Sequence, residues 1–115
     1  ETKIDPAFDE IIIHSNKLHF DNMLSYMIAK LVSKIEKLLD KTKNNPQNIR
    51  FNEICKLAEA FGFTCRGGKG SHTIYSRKGV IELINFQNVH GMAKPYQVRQ
   101  FLRIVEEYSL KIRGE

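Results

Sequence analysis

Within six residues the chain sets three glycines, a lysine, a serine and a histidine, Gly67-Gly68-Lys69-Gly70-Ser71-His72, and the strand-forming Thr73-Ile74-Tyr75 follows at once. Glycine frees the backbone to take positive φ and to approach a ligand closely, and exposed amides with an ammonium group supply donors for phosphate oxygens. Histidine is the side chain that exchanges protons near neutral pH. Together these are the parts needed to grip and attack a phosphodiester. RNA carries its own nucleophile, the 2′-hydroxyl, so cleavage needs a base to remove that proton and an acid for the leaving oxygen; His72 suits either task. Lys69 is the expected partner of the phosphate oxygens, with the Gly70 and Ser71 amides beside it. Arg66, Arg77 and Lys78 flank the same strands and would hold a nucleic-acid backbone by charge. Tyr75 has the opposite parity to His72 along a strand, so its ring belongs to the core rather than to a base-stacking surface. Glycine-rich turns also build ordinary hairpins, and the residue pattern alone leaves that reading open.

The elements that must carry this loop follow from periodicity. Residues 5–20 read equally as a helical start at Asp5-Pro6 or as a short hairpin around Ser15-Asn16-Lys17. From Asp21, a good N-cap, apolar residues recur at helical spacing through Leu39, which predicts an amphipathic helix to about Lys41. It should pack on the domain or on a partner, with Lys34, Lys37 and Lys41 on a solvated face. Phe51 to Phe61 predicts a second helix stopped by Gly62. Strands are expected at 63–66, 72–76 and 80–86, and 88–94 as loop. Pro95 opens a closing helix whose apolar face is Val98, Phe101, Leu102, Val105 and Tyr108. Lys94, Arg99 and Arg103 extend its polar side, where RNA contact and simple solvation are both open. His90 lies in a Gly-flanked loop as a possible second proton carrier. The expected fold is therefore α+β, an αβββα domain with a three-stranded antiparallel sheet and two helices on one face, preceded by an extra N-terminal amphipathic helix.

Charge narrows the partners. The 115 residues carry a net +5, but residues 1–32 hold three Lys against five Asp and Glu, so residues 33–115 carry +7. Such a balance favours nucleic acid or an acidic protein partner. The longest purely aliphatic run, Ile11-Ile12-Ile13, is far short of the roughly 18 residues of a bilayer helix, and no secretory pattern opens the chain, so a cytoplasmic protein is expected. Cys55 and Cys65 have no CxxC spacing or His cluster, and both are read as reduced, mostly buried thiols. No disulfide, metal or cofactor is expected.

Phe61-Gly62-Phe63, Gly70-Ser71-His72-Thr73-Ile74-Tyr75, and Asn85 onward into Lys94-Pro95-Tyr96-Gln97-Val98-Arg99 resemble the HicA family of toxins. The resemblance covers roughly Ser33 to Leu110, and residues 1–32 stand outside it as an extension. It implies a fold related to double-stranded-RNA-binding domains, cleavage of messenger RNA with His72 as the catalytic histidine, and a HicB-type antitoxin as partner. The toxin would be a monomer alone and part of a hetero-oligomer with the antitoxin. Many relatives carry a histidine-proline-glycine loop after the third strand, where this chain has Asn85-Phe86-Gln87-Asn88-Val89-His90-Gly91. The rival expectations are a non-cleaving RNA-binding module of the same fold and a basic domain that binds an acidic protein.

Overall fold

The computed structural model of the protein describes residues 6–113, with side chains from Phe20 onward. Asp5 lies outside the described residues. Two compact units are present, Glu1–Leu31 and Val32–Glu115. Helix α1 runs Pro6–Asn44, and a short 3-10 turn, Pro46–Asn48, follows it. Then come α2 (Phe51–Ala60), β1 (Thr64–Gly67), β2 (His72–Ser76), β3 (Ile84–Val89), β4 (Met92–Ala93) and α3 (Pro95–Glu107). The architecture is α+β, three helices and an antiparallel sheet, as in double-stranded-RNA-binding-like domains.

No glycine or proline interrupts the chain between Pro6 and Pro46, and residues 6–20 take the helical alternative rather than the hairpin. Asp21 therefore lies inside α1 and caps nothing. Packing of this helix on the core begins at Ile35, joined by Leu38 and Leu39, and Thr42 is fully buried with its hydroxyl donating to Leu38 O at 2.7 Å. In the other unit Phe20, Met23, Leu24, Tyr26, Met27, Ile28 and Leu31 are exposed.

Helix α2 is bounded by identifiable caps. At its start the Glu53 carboxylate accepts the Arg50 backbone N–H at 3.0 Å and the Lys41 ammonium at 2.8 Å. At its end Gly62 takes φ +90°, with Gly62 N–H donating to Glu59 O and Phe63 N–H to Ala58 O, both at 3.0 Å. That pair of bonds is the Schellman arrangement, which needs a left-handed residue where Gly62 stands. Ile54, Leu57 and Ala58 of α2 and Val98, Phe101 and Ile104 of α3 are buried together with Tyr75, Ile84 and Phe86 of the sheet. Phe101 is the hub, edge-on to Phe61, Phe63 and Phe86 with centroids 5.9, 5.8 and 6.0 Å away.

The sheet order is β1-β2-β3-β4, so the sheet has four strands where the sequence reading expects three. Strand β2 falls where its alternation predicts; β1 is displaced by a residue, and the third strand is Ile84–Val89 rather than 80–86. The β-branched Val80 and Ile81 point to a strand, but Val80 N–H closes a turn on Arg77 O at 3.1 Å. The Tyr108 hydroxyl then holds the following segment, donating to Glu82 Oε2 at 2.7 Å and accepting from Ile81 N–H at 3.4 Å. The fourth strand forms because His90 and Gly91 both take positive φ, 52° and 84°, making a two-residue hairpin turn. Asn88 Oδ1 accepts the Gly91 N–H at 2.7 Å and locks it.

Phe101→Ala removes the hub ring and should destabilise by about 3–5 kcal/mol, read as a lower urea midpoint. Burial pushes the Glu53 carboxyl up, but its hydrogen bonds from Lys41 and from the Arg50 backbone outweigh this and hold it below its ordinary value of 4.5. A depressed folded-state value stabilises above the unfolded one and is lost as pH falls through it. Glu53→Gln should therefore cost a few tenths to about 1 kcal/mol at neutral pH, and its difference from wild type should shrink and then vanish as pH falls below 4.5 and through the depressed folded-state value.

Candidate active site

The loop Gly68–Ser71 joins β1 to β2, and its shape is fixed by two backbone bonds. His72 N–H donates to Lys69 O at 3.2 Å, and Asn88 N–H donates to Ser71 O at 2.9 Å, which ties the loop to β3. Gly70 takes φ +65°, as a tight turn at this position requires. Gly68 is constrained differently: a Cβ there would lie 2.0 Å from the His72 carbonyl oxygen, so the chain folds onto the histidine's own backbone only because position 68 has no side chain. Lys69, Gly70, Ser71 and His72 are all exposed.

Strand alternation sets which way each residue faces. His72 pairs with Gln87, Ile74 with Asn85, and Tyr75 with Ile84. Tyr75, Ile84 and Phe86 are buried against the helices, so His72, Ile74, Asn85 and Gln87 share the opposite, open face. The His72 ring sits there with Nδ1 3.3 Å from Asn85 Oδ1. The Tyr75 ring is core, as its parity predicts. Its hydroxyl is pushed strongly upward by burial and by its bond with Cys55, and it faces the core rather than the His72 ring.

The charged residues picked out in the sequence are not all gathered here. Arg66 is exposed on β1, inside the bulge between Cys65 and Gly67, at the same end of the sheet as the loop. Arg77 and Lys78 follow the other end of β2, roughly 13 Å along the strand from His72 at 3.3 Å per residue, and the Arg77 stem lies over Gly62. Lys94 stands before α3, its ammonium 5.9 Å from the centroid of the exposed Tyr96 ring. Arg99 is exposed on α3, whereas Arg103 forms an ion pair with Glu107 at 2.9 Å. His90 is at the tip of the β3–β4 hairpin, where its backbone makes the turn.

Two residues that sequence reasoning passed over belong to this region. Asn85 faces the His72 ring, and the buried Gln97 accepts the Gln87 backbone N–H at 2.7 Å while its amide donates to the Tyr96 hydroxyl at 3.2 Å. Gln97 thus ties the start of α3 to the strand position opposite His72. With the third strand expected at 80–86, neither the diagonal 72–85 relation nor the free N–H at Gln87 was visible. Cys65 is exposed on its edge strand rather than buried, and Cys55 is half-buried with its thiol pushed up by desolvation; both are free. Among the described residues no three His, Cys, Asp or Glu gather as metal ligands do, and no helix is long and apolar enough to cross a membrane. A cleft of about 770 Å³ lies on the helical side, lined by Leu39, Phe61, Leu102, Val105 and Leu110, and shares no residue with the histidine loop. The histidine stands on an open sheet face rather than in an enclosed pocket.

The site is an exposed histidine on a four-stranded antiparallel sheet backed by two helices, in a small basic α+β domain. The family model described as HicA toxin of bacterial toxin–antitoxin systems matches residues 51–106. The match over these residues supports a HicA-family toxin of a toxin–antitoxin pair and implies an antitoxin partner. Comparison with curated proteins and with solved structures returned no match.

Gly68→Ala places a methyl group against the His72 carbonyl and must displace the loop. The expected outcome is loss of hydrogen-exchange protection at the His72 and Asn88 amides with only a small fall in melting temperature, since the loop lies outside the core; unchanged protection at both amides would reject this account.

Proposed function

We propose that this toxin is a metal-independent endoribonuclease that cleaves messenger RNA in the cytoplasm and is neutralised by a HicB-type antitoxin covering the basic face and His72. The observation that carries the reading is an exposed imidazole held at the start of β2, between the Lys69-bearing glycine turn and Asn85, on a domain of net positive charge. His72 acts as the base. Its free ring nitrogen takes the proton of a 2′-hydroxyl, the 2′-oxygen bonds to phosphorus, and the 5′-oxygen departs and takes a proton from water. The products are a 2′,3′-cyclic phosphate and a 5′-hydroxyl.

Lys69 and the Gly70 and Ser71 amides offset the charge that grows on the phosphate oxygens, which is the largest single contribution in reactions of this kind. Arg66 holds the backbone nearby. Arg77 and Lys78 beyond the far end of β2, and Lys94 and Arg99 around the start of α3, extend the contact to neighbouring phosphates by charge, independent of sequence. The family supports the toxin role, and the open, cationic setting of one imidazole supports the reaction class.

Purified protein incubated with a long messenger RNA in EDTA should cut it into fragments ending in cyclic phosphate, with His72→Ala slower by about 10² to 10⁴. Full-length RNA persisting with wild type, or equal cutting by His72→Ala, rejects the reading; a salt-sensitive mobility shift without cleavage would indicate an RNA-binding module instead.

A further inference from the structure

We infer that Asn85 is the positioning residue of the site: it fixes the tautomer and orientation of His72 so that Nε2 carries the lone pair that accepts the substrate proton. The inference rests on the endoribonuclease reading and adds a residue to it. Asn85 and His72 lie diagonally across β2 and β3 on the open face, since His72 pairs with Gln87 and Ile74 with Asn85. Diagonal neighbours of this kind are within reach of long or planar side chains. Nδ1 is 3.3 Å from Asn85 Oδ1. An amide oxygen only accepts, so the bond requires the hydrogen on Nδ1, and in the neutral ring Nε2 is then left unprotonated.

The support behind the pair is rigid. Ile84 and Phe86, on either side of Asn85, have no exposed surface, and Tyr75, on the strand that begins at His72, is buried as well. The polar pair is thus mounted on the backs of core residues, and neither partner depends on a loop for its register. The loop is joined to His72 through its backbone, by the Lys69 turn. Asparagine also differs from the carboxylate that often orients a catalytic histidine. A neutral amide selects the tautomer without placing a negative charge beside the ring.

When Nε2 takes the 2′-hydroxyl proton, the ring becomes an imidazolium and both ring nitrogens carry hydrogen. The Nδ1–H bond to Asn85 persists through that change. The 2′-oxygen–phosphorus bond forms as the phosphorus–5′-oxygen bond breaks, and the ring later returns its proton to solvent. Asn85 touches neither substrate nor reacting atoms; it acts through the ring.

Three variants of the full chain decide it: Asn85→Ala, Asn85→Asp and His72→Ala, compared by long-range ¹H–¹⁵N spectra of the histidine rings at alkaline pH without RNA and by the pH dependence of RNA cleavage. His72→Ala assigns the ring signals. Wild type should show the Nδ1–H form, and Asn85→Ala should shift His72 towards the Nε2–H form, cut RNA about 10- to 100-fold more slowly and melt at the wild-type temperature. Asn85→Asp should keep the Nδ1–H form and much of the activity while moving the acid limb of the rate profile to higher pH. An unchanged tautomer in Asn85→Ala, or an acid limb in Asn85→Asp that overlies wild type, overturns the inference. If wild type leaves RNA whole while the tautomer shifts as expected, the nuclease reading falls and Asn85 stands as the residue that sets the ring.

Discussion

The domain is organised around the ring of Phe101. It meets Phe61 at the end of α2, Phe63 just before β1, and Phe86 in the middle of β3, each at an edge-to-face angle. Such pairs gain about 0.5–1.5 kcal/mol beyond the area they bury, and they have preferred directions as well as preferred distances. One side chain on α3 therefore fixes where α2 ends, where β1 begins and how far β3 approaches the helices. Tyr75 extends the row by packing on Phe86 at 5.7 Å.

The candidate histidine site is mounted on the back of that row. In β2 and β3 successive side chains point to opposite faces, so once Tyr75 and Phe86 turn inward, His72 and Asn85 must turn outward. The loop before β2 is held at both ends, by the Lys69–His72 turn and by the Ser71–Asn88 bond. It needs no contact with the core. Gln97 ties the start of α3 to the other edge of β3, so both sides of the His72–Gln87 pair are fastened by hydrogen bonds rather than by apolar packing.

Much of this was legible in the chain itself. Both core helices were readable from apolar spacing and from their ends: Gly62 marked one stop and Pro95 one start, and the bonds at these places are the ones those residue types permit. Strand β2 followed from its alternation. The third strand was misplaced because Val80 and Ile81 have strand-forming side chains, but Val80 closes a turn on Arg77 and Ile81 is held by Tyr108, 27 residues further along the sequence, which no local window can register. The fourth strand was hidden because its turn is His-Gly instead of the familiar Asn-Gly, with Asn88 supplying the missing amide from two positions upstream. The expected cluster of cations around His72 kept Arg66 and Lys69 and lost Arg77 and Lys78, because the length of β2 separates its two ends. Asn85 escaped notice for the same reason as the strand: a diagonal pair exists only once the register is known.

The two faces of β2 and β3 have different mutational freedom. A change at Tyr75 or Phe86 must be answered by Phe101 and through it by Phe61 and Phe63, whereas Ile74, Asn85 and Gln87 lie outside the buried core. Substitution in the outward row can therefore change what that face presents to its surroundings while the inward row, and the fold with it, stays as it is.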